Sequence, residues 1–272
     1  GMRLPLGSRA ARAADAPAPA AINAWLRIGT DDSVTILVGQ SEMGQGIYTA
    51  LPMLLAEELD CDWTKVKVEA APAAPAYRNI YLVKEMLSNG HADPDPGFMG
   101  GVKDWFYGTM AGLFGQQVTG GSTSVRGAYE PLRQAGAQAR LMLVAAAAAQ
   151  WSVPAGECQA KDGKVSHAKS GKSATYGQLA AAAARLDPPK DPPLQPRSAW
   201  RLVGKPVPRL DLPAKVNGTA TFGIDVRLPG MLFAMQRSAP VFGGKLASST
   251  PKEADGGSIH KSIISSVAPE RI

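Results

Sequence analysis

Two short runs of small polar residues hold most of the chemistry this sequence offers: Ser41-Glu42-Met43-Gly44-Gln45-Gly46 and Thr119-Gly120-Gly121-Ser122-Thr123-Ser124. A glycine lets backbone N–H groups approach a ligand with no Cβ in the way. A helix starting just behind it leaves unpaired donors at the positive end of its dipole. Such junctions bind anions. Gln45 adds an amide that donates and accepts together, which suits a ligand of mixed donors and acceptors better than a bare phosphate. The second run repeats the design with hydroxyls. Taken singly, Gly44-Gln45-Gly46 reads equally as a tight turn entering a helix; taken together, the two runs can converge on one extended anionic ligand. Neither has the Lys-Ser/Thr pair of a phosphate-binding loop or the GxGxxG spacing of a dinucleotide fold.

The elements that must position these loops are legible from periodicity. Residues 24–27 and 34–38 read as a β-hairpin about Gly29-Thr30-Asp31-Asp32. Leu51, Leu54, Leu55, Glu58 and Leu59 recur at helical spacing, ending near Asp60, and residues 66–70 read as a strand. The pattern breaks between residues 77 and 115, around Asp93-Pro94-Asp95-Pro96-Gly97, and this stretch reads as an insertion. A long Ala-rich helix then runs to Gln150, its alanines admitting a close neighbour. Asp162-Gly163 signals a two-residue hairpin. Thr175 reads as the N-cap of a helix from Tyr176 to about Arg185. Pro52 and Pro131 each stand seven residues beyond Gln45 and Ser124, so each either kinks a helix begun at the loop or sits in the first turn of one begun later, with Thr49 a candidate cap.

The organisation that follows is α+β. Residues 1–21 read as a disordered leader remnant behind Gly1, an expression scar ahead of Met2. Residues 22–186 form the main domain with an insertion at 79–115, and 187–210 a Pro-rich linker crossing a surface in extended form. Residues 211–248 open a second domain with strand patterns and an Asn217-Gly218 turn. Residues 249–272 are a divergent Ser/Lys-rich tail, of the kind a frameshift or premature stop leaves.

Composition excludes several classes. The net charge of +6 shows no basic stripe interleaved with aromatics, which argues against nucleic acid as a partner. No run is long and apolar enough to cross a bilayer. Cys61 and Cys158 are far apart without CxxC spacing, so neither a zinc site nor an iron–sulfur cluster is expected; they read as buried small hydrophobes, and could pair in an oxidising compartment. His91, His167 and His260 lack metal-ligand spacing. Trp105, Phe106 and Tyr107 read as a surface flap, or as a contact for a partner or lipid headgroups. Arg126 and Arg133 are placed to pair with a phosphate or to line a surface. Glu42 precedes the first helix, where solvation or capping is the expected role rather than catalysis.

The coupled stretches SEMGQGIYTALPMLLAEELDCDW and QVTGGSTSVRGAYEPLRQAGAQAR resemble the molybdopterin-binding large subunit of the xanthine oxidase superfamily, of the isoquinoline 1-oxidoreductase β-subunit or membrane-associated aldehyde dehydrogenase type. The resemblance runs from about Asn23 to Ser248 apart from the insertion. It implies a molybdopterin-binding α/β domain followed, from GKPVPRLDLPAKVNGTATFGID onward, by the start of an α/β hammerhead domain. It implies molybdopterin cytosine dinucleotide as cofactor, with Gly44, Gln45 and Gly46 contacting pterin and pyrophosphate and Gly121, Ser122 and Ser124 lining the other side. It further implies oxidation of an aldehyde or N-heterocycle carbon with water as the oxygen source, a two-iron two-sulfur partner subunit, and a periplasmic setting, although Arg9-Ala10-Ala11-Arg12 is not the twin-arginine motif. The family's general base, a Glu in a C-terminal motif, has no counterpart here. The expectation is therefore a polypeptide that keeps part of the cofactor site and is inactive alone, or else a non-catalytic α+β domain whose loops are remnants or a partner-binding surface.

Overall fold

Alternation of apolar and polar residues starts the first sheet of the computed structural model, which describes residues 18–88, 98–231 and 242–244. β1 (Ala20–Asn23), β2 (Leu26–Ile28) and β3 (Val34–Val38) form an antiparallel meander, and β4 (Val66–Ala70) pairs with β3 in parallel, Val34 beside Val66 and Val38 beside Ala70. Parallel neighbours need a crossover element. The helix α1 (Ile47–Leu59) supplies it. β1 takes in Ala20 and Ala21, so regular structure reaches into the expected leader, whose residues 1–17 lie outside the described residues.

Ten of the thirteen residues of α1 are buried, including Glu57 and Glu58, because the helix is covered on several sides. One cover is the sheet and another is α4 (Ser124–Trp151). The two helices cross closely at Gly136, where an added Cβ would fall on the Leu55 carbonyl oxygen. Small residues along α4, among them Ala128, Ala135 and Ala139, make that approach possible, and Leu51, Leu55, Leu132 and Leu143 fill the seam at no more than 1% exposure. Each such leucine contributes about 1.5–3 kcal/mol. Pro52 and Pro131 lie inside continuous helices rather than in a first turn, each removing one backbone donor. Thr49 is likewise inside α1 and does not cap it.

The expected insertion contains two helices, α2 (Ile80–Leu87) and α3 (Phe98–Phe114); residues 89–97, which include His91 and the Asp-Pro loop, lie outside the described residues. Asn79 roots it. Its side chain caps α2 by accepting from Leu82 N and donates to Thr123 Oγ1 at 2.8 Å and to the Val118 carbonyl at 3.1 Å. Trp105 and Phe106 stand exposed on α3.

A second sheet of β5 (Cys158–Lys161), β6 (Lys164–His167) and β7 (Lys172–Thr175) is an antiparallel meander. Its first turn has Asp162 at φ 47° and Gly163 at φ 76°, the left-handed pair that matches strand twist. Thr175 and Gln178 form a reciprocal capping box at the head of α5 (Tyr176–Ala183), which ends two residues short of the expected Arg185. Cys61 is buried and Cys158 half-buried, and both are free thiols, so only Cys61 has the buried setting expected of the pair.

The Pro-rich linker is a strap lying along α1 and α4. Gln138, Arg140 and Arg133 donate to the carbonyls of Pro189, Pro193 and Gln195. Buried Glu58 accepts from Gln195 N at 2.7 Å, and Glu57 accepts from the backbone N–H groups of Arg201, Leu202 and Val203 at 2.7–2.8 Å. Apart from a 3₁₀ turn at Arg197–Ala199 and a few other local bonds, the proline-containing strap makes little use of its own backbone, so side chains from the helices provide partners. The strap ends in α6 (Leu212–Val216), and the first compact unit reaches Ala220, beyond the expected boundary at 211. In the second unit, from Thr221, residues 221–231 carry a 3₁₀ turn at Gly223–Asp225, where Asp225 accepts from Phe222 N. Residues 215–231 contain no strand; residues 232–241 and 245–248 of the same strand-patterned stretch, and the tail with His260, lie outside the described residues.

Candidate functional site

Both glycine runs stand where ligands gather in sheets with parallel strands, beyond the carboxyl ends of the strands. The first leaves β3 at Gly39, pressed so close to Tyr77 that a Cβ would lie 2.9 Å from the Tyr77 Cβ. After β4, Ala71 N donates to the Val38 carbonyl at 2.9 Å, and Gln117 on the second run's approach reaches back to Ala71 and Ala74. The two runs then meet. Ser41 N donates to Thr119 Oγ1 at 2.8 Å, across 78 residues of chain.

The first loop is held by its own side chains. Glu42 accepts from Gly44 N at 2.8 Å and from Gly46 N and Tyr48 N at 3.0 Å, so its carboxylate caps α1 from four residues upstream of Gly46. Burial raises the Glu42 pKa, but the N–H groups of Tyr48, Gly46 and Gly44 outweigh it and hold the carboxyl below its ordinary range. The capping role expected for Glu42 is the one the geometry displays. Gln45 donates from Nε2 to the Ser41 carbonyl at 2.8 Å and accepts from Met43 N, with a second proton and a second lone pair left over. Gly44 (φ 103°) and Gly46 (φ 86°) adopt backbone shapes that would strain other residues, and open space lies where their Cβ atoms would be. Beside them Gln40 is 7% exposed, and its Oε1 is buried without a partner among the described residues.

The second loop differs in its donors. Gly121 (φ 60°) and Ser122 (φ 54°) form a left-handed turn closed by Thr123 N to the Gly120 carbonyl at 3.2 Å. Such a φ in a non-glycine residue costs of order 1 kcal/mol. Thr123 turns its hydroxyl back to the Gly120 carbonyl and to Asn79, so it does not cap α4. The first turn of α4 thus keeps donors that α1 has already committed to Glu42. Neither the Ser122 nor the Ser124 hydroxyl bonds to another described residue. Beside Gly120, too, the place of a Cβ is open.

Other candidates are engaged within the protein. Arg133 pairs with Glu58 at 2.6 Å and Arg126 with Glu85 at 3.0 Å, so the possibility that these arginines hold a phosphate gives way to internal ion pairs. His167 sits between Ser170 Oγ at 2.7 Å and Glu157 at 3.0 Å, and no group of His, Cys, Asp or Glu among the described residues could hold a metal ion. A cleft of about 210 Å³ lined by Asp32, Cys61, Asp62, Lys65 and Asp162, among others, includes no residue of either loop.

Three residues that support the loops carried no recognisable signal, Gln40, Asn79 and Arg209, whereas Thr119 stands within the second run itself. Arg209 lies on the strap and donates to Glu42 Oε1 at 3.1 Å and to the Gly44 carbonyl at 3.0 Å. Polar residues scattered so widely along the chain look like ordinary surface until it is folded.

The family model for the molybdopterin cofactor-binding domain matches residues 6–74, a stretch containing the first loop and not the second. The β chain of isoquinoline 1-oxidoreductase from Brevundimonas diminuta is 37% identical over 254 residues, covering 81% of this chain and 29% of that protein. The membrane-bound aldehyde dehydrogenase (pyrroloquinoline-quinone) of Gluconacetobacter polyoxogenes is 31% identical, covering 85% of this chain and 26% of its own length. A nicotinate dehydrogenase subunit from Pseudomonas putida is 28% identical over 76% of this chain and 14% of its own. Among solved structures, quinoline 2-oxidoreductase from Pseudomonas putida 86 aligns with 61% of this chain and 17% of that chain at 15% identity, with a TM-score of 0.35. The chain spans less than a third of the length of these curated relatives.

Proposed function

We propose that this chain, which belongs over its matched residues to the xanthine oxidase family of molybdopterin-binding subunits, forms one wall of a molybdenum cofactor site at its two glycine loops. The observation that carries the reading is the Ser41–Thr119 hydrogen bond, which makes one surface of two distant sequence motifs. Three features fit a pterin nucleotide. The unpartnered Gln40 Oε1 accepts from a ring rich in N–H donors, and the open ground beside Gly44, Gly46 and Gly120 admits a flat, extended guest. The uncapped start of α4, with Gly121, Ser122 and Ser124, receives the anionic portion. Gly44 and Gly46 serve by lacking side chains rather than by their N–H groups, which Glu42 holds, while Gln45 offers its remaining proton and lone pair.

The cofactor form is molybdopterin cytosine dinucleotide. When bound, such a centre supplies oxidation of an aldehyde or N-heterocycle carbon with water as the oxygen source. The described residues bind and orient; Glu42, committed to capping α1 and to Arg209, is not a proton acceptor for that reaction. We therefore assign this chain cofactor binding without turnover of its own, in a periplasmic assembly with a two-iron two-sulfur subunit. Two of the relatives are named as single subunits of their enzymes, which agrees with a multi-subunit setting.

Production of the chain in a host that makes molybdenum cofactor tests this, with metal analysis, pterin fluorescence after oxidation and a dye-linked aldehyde oxidation assay on the purified protein. Molybdenum and pterin should co-purify without turnover, and Gly121→Val should abolish both signals. Wild-type protein with no pterin above a mock preparation would refute the binding reading, and turnover would refute the assigned inactivity.

A further inference from the structure

We propose that Arg209 is the positioning residue of the first glycine loop, gripping it from a segment 165 residues away; this rests on the cofactor reading above. The grip acts on both polarities of the loop backbone. Glu42 holds the N–H groups of Gly44, Gly46 and Tyr48, and Arg209 holds Glu42 Oε1 through Nη2 at 3.1 Å while Nη1 takes the Gly44 carbonyl at 3.0 Å. The guanidinium is itself aligned. Its Nε and Nη2 donate to the two oxygens of Asp211 at 3.0 and 2.8 Å, and Lys215 holds Asp211 from the next turn at 2.5 Å. One residue along, Leu210 N donates to Thr49 Oγ1 at 2.9 Å, pinning the strap to α1.

Burial makes the arrangement directional. The side chain of Glu42 is 6% exposed and that of Asp211 11%, against 33% for Arg209, so two nearly buried carboxylates converge on one partly exposed cation. Loss of that cation leaves Glu42 without its charge partner and Asp211 with Lys215 alone, and frees the Gly44 carbonyl. A lysine restores the charge but not the planar fork that reaches Asp211, Glu42 and Gly44 together. The left-handed shapes of Gly44 and Gly46, which open the ligand face, are thus maintained by the strap as well as by local turn chemistry.

Amide hydrogen exchange by mass spectrometry on the full chain tests the proposal, comparing wild type with Arg209→Met, Arg209→Lys and Asp211→Asn. Arg209→Met should accelerate exchange at Gly44, Gly46 and Tyr48 about tenfold, with less than a twofold change at Asp60, whose N–H bonds Ala56 at the far end of α1. Arg209→Lys should recover part of the protection, and Asp211→Asn should fall between. Should Arg209→Met not fold, the other two variants carry the same readout. Unchanged loop amides, or equal acceleration along all of α1, would overturn the proposal. Pterin retention measured on the same samples separates the two readings: a loosened loop in a chain that never binds pterin removes the function and keeps the clamp, whereas pterin bound with an unmoved loop does the reverse.

Discussion

Glu57→Gln keeps the shape of a buried side chain while removing one of its two acceptor oxygens. In the native protein a single carboxylate, on a residue only 4% exposed, receives three backbone N–H groups of the strap: Arg201 on Oε1, Leu202 and Val203 on Oε2. A hydrogen bond to a charged group contributes about 1.5–3 kcal/mol, and an orphaned buried donor costs about 1–3 kcal/mol. With the amide oxygen facing Leu202 and Val203, its NH₂ confronts Arg201 N, so one bond is lost and two become charge-neutral. The strap can lift partly into water, which limits the loss to about 3 kcal/mol, a large share of a typical 5–15 kcal/mol total. Urea unfolding followed by tryptophan fluorescence measures it, and Trp200 on the strap, between Arg133 of α4 and Arg197, is one of the five tryptophans that contribute. A loss under about 0.5 kcal/mol would refute the idea that Glu57 staples the strap.

Gly136→Ala should destabilise by more than the ~1–3 kcal/mol of ordinary overpacking, because its Cβ meets backbone at Leu55 rather than a yielding side chain; thermal unfolding would show it. Burial pushes the Cys61 thiol up to about 12, so in native protein at pH 8 it should resist iodoacetamide for hours while half-buried Cys158 labels faster, as peptide mapping would reveal. Arg209 and, despite burial, Lys215 bring Asp211 from 3.8 to about 2, and Glu42 is also lowered. Their contribution is fully present above the ordinary carboxylate values and is lost as pH falls through the folded ones, between about pH 4.5 and 2. Asp211→Asn should therefore be less stable at pH 7, and its stability should fall less steeply than wild type across that window in pH-jump unfolding.

Much of the architecture was readable locally. The hairpin at residues 29–32, the α1 stripe, the Asp162-Gly163 turn and the Thr175 cap each depend on bonds within a few residues, so their signals survive in a linear string. The insertion was harder, since its mixture of Gly, Met and aromatics shows no amphipathic period even though α3 is a helix of 17 residues. Of the strand-patterned stretch after Lys215, residues 215–231 contain no strand, and most of its apolar part lies outside the described residues.

By itself the sequence determined which residues build the two loops, since glycine takes a left-handed turn at least cost, Ser122 being the non-glycine residue that does so here, and a helix must follow to aim the donors. Only tertiary structure decided how those donors are allotted. Glu42 fills the first helix terminus, Thr123 turns away from the second, and Ser41 meets Thr119. The reason is that hydrogen-bond partners are chosen by distance in space, and contacts such as Arg209 with Gly44 close over chain separations that no local pattern encodes.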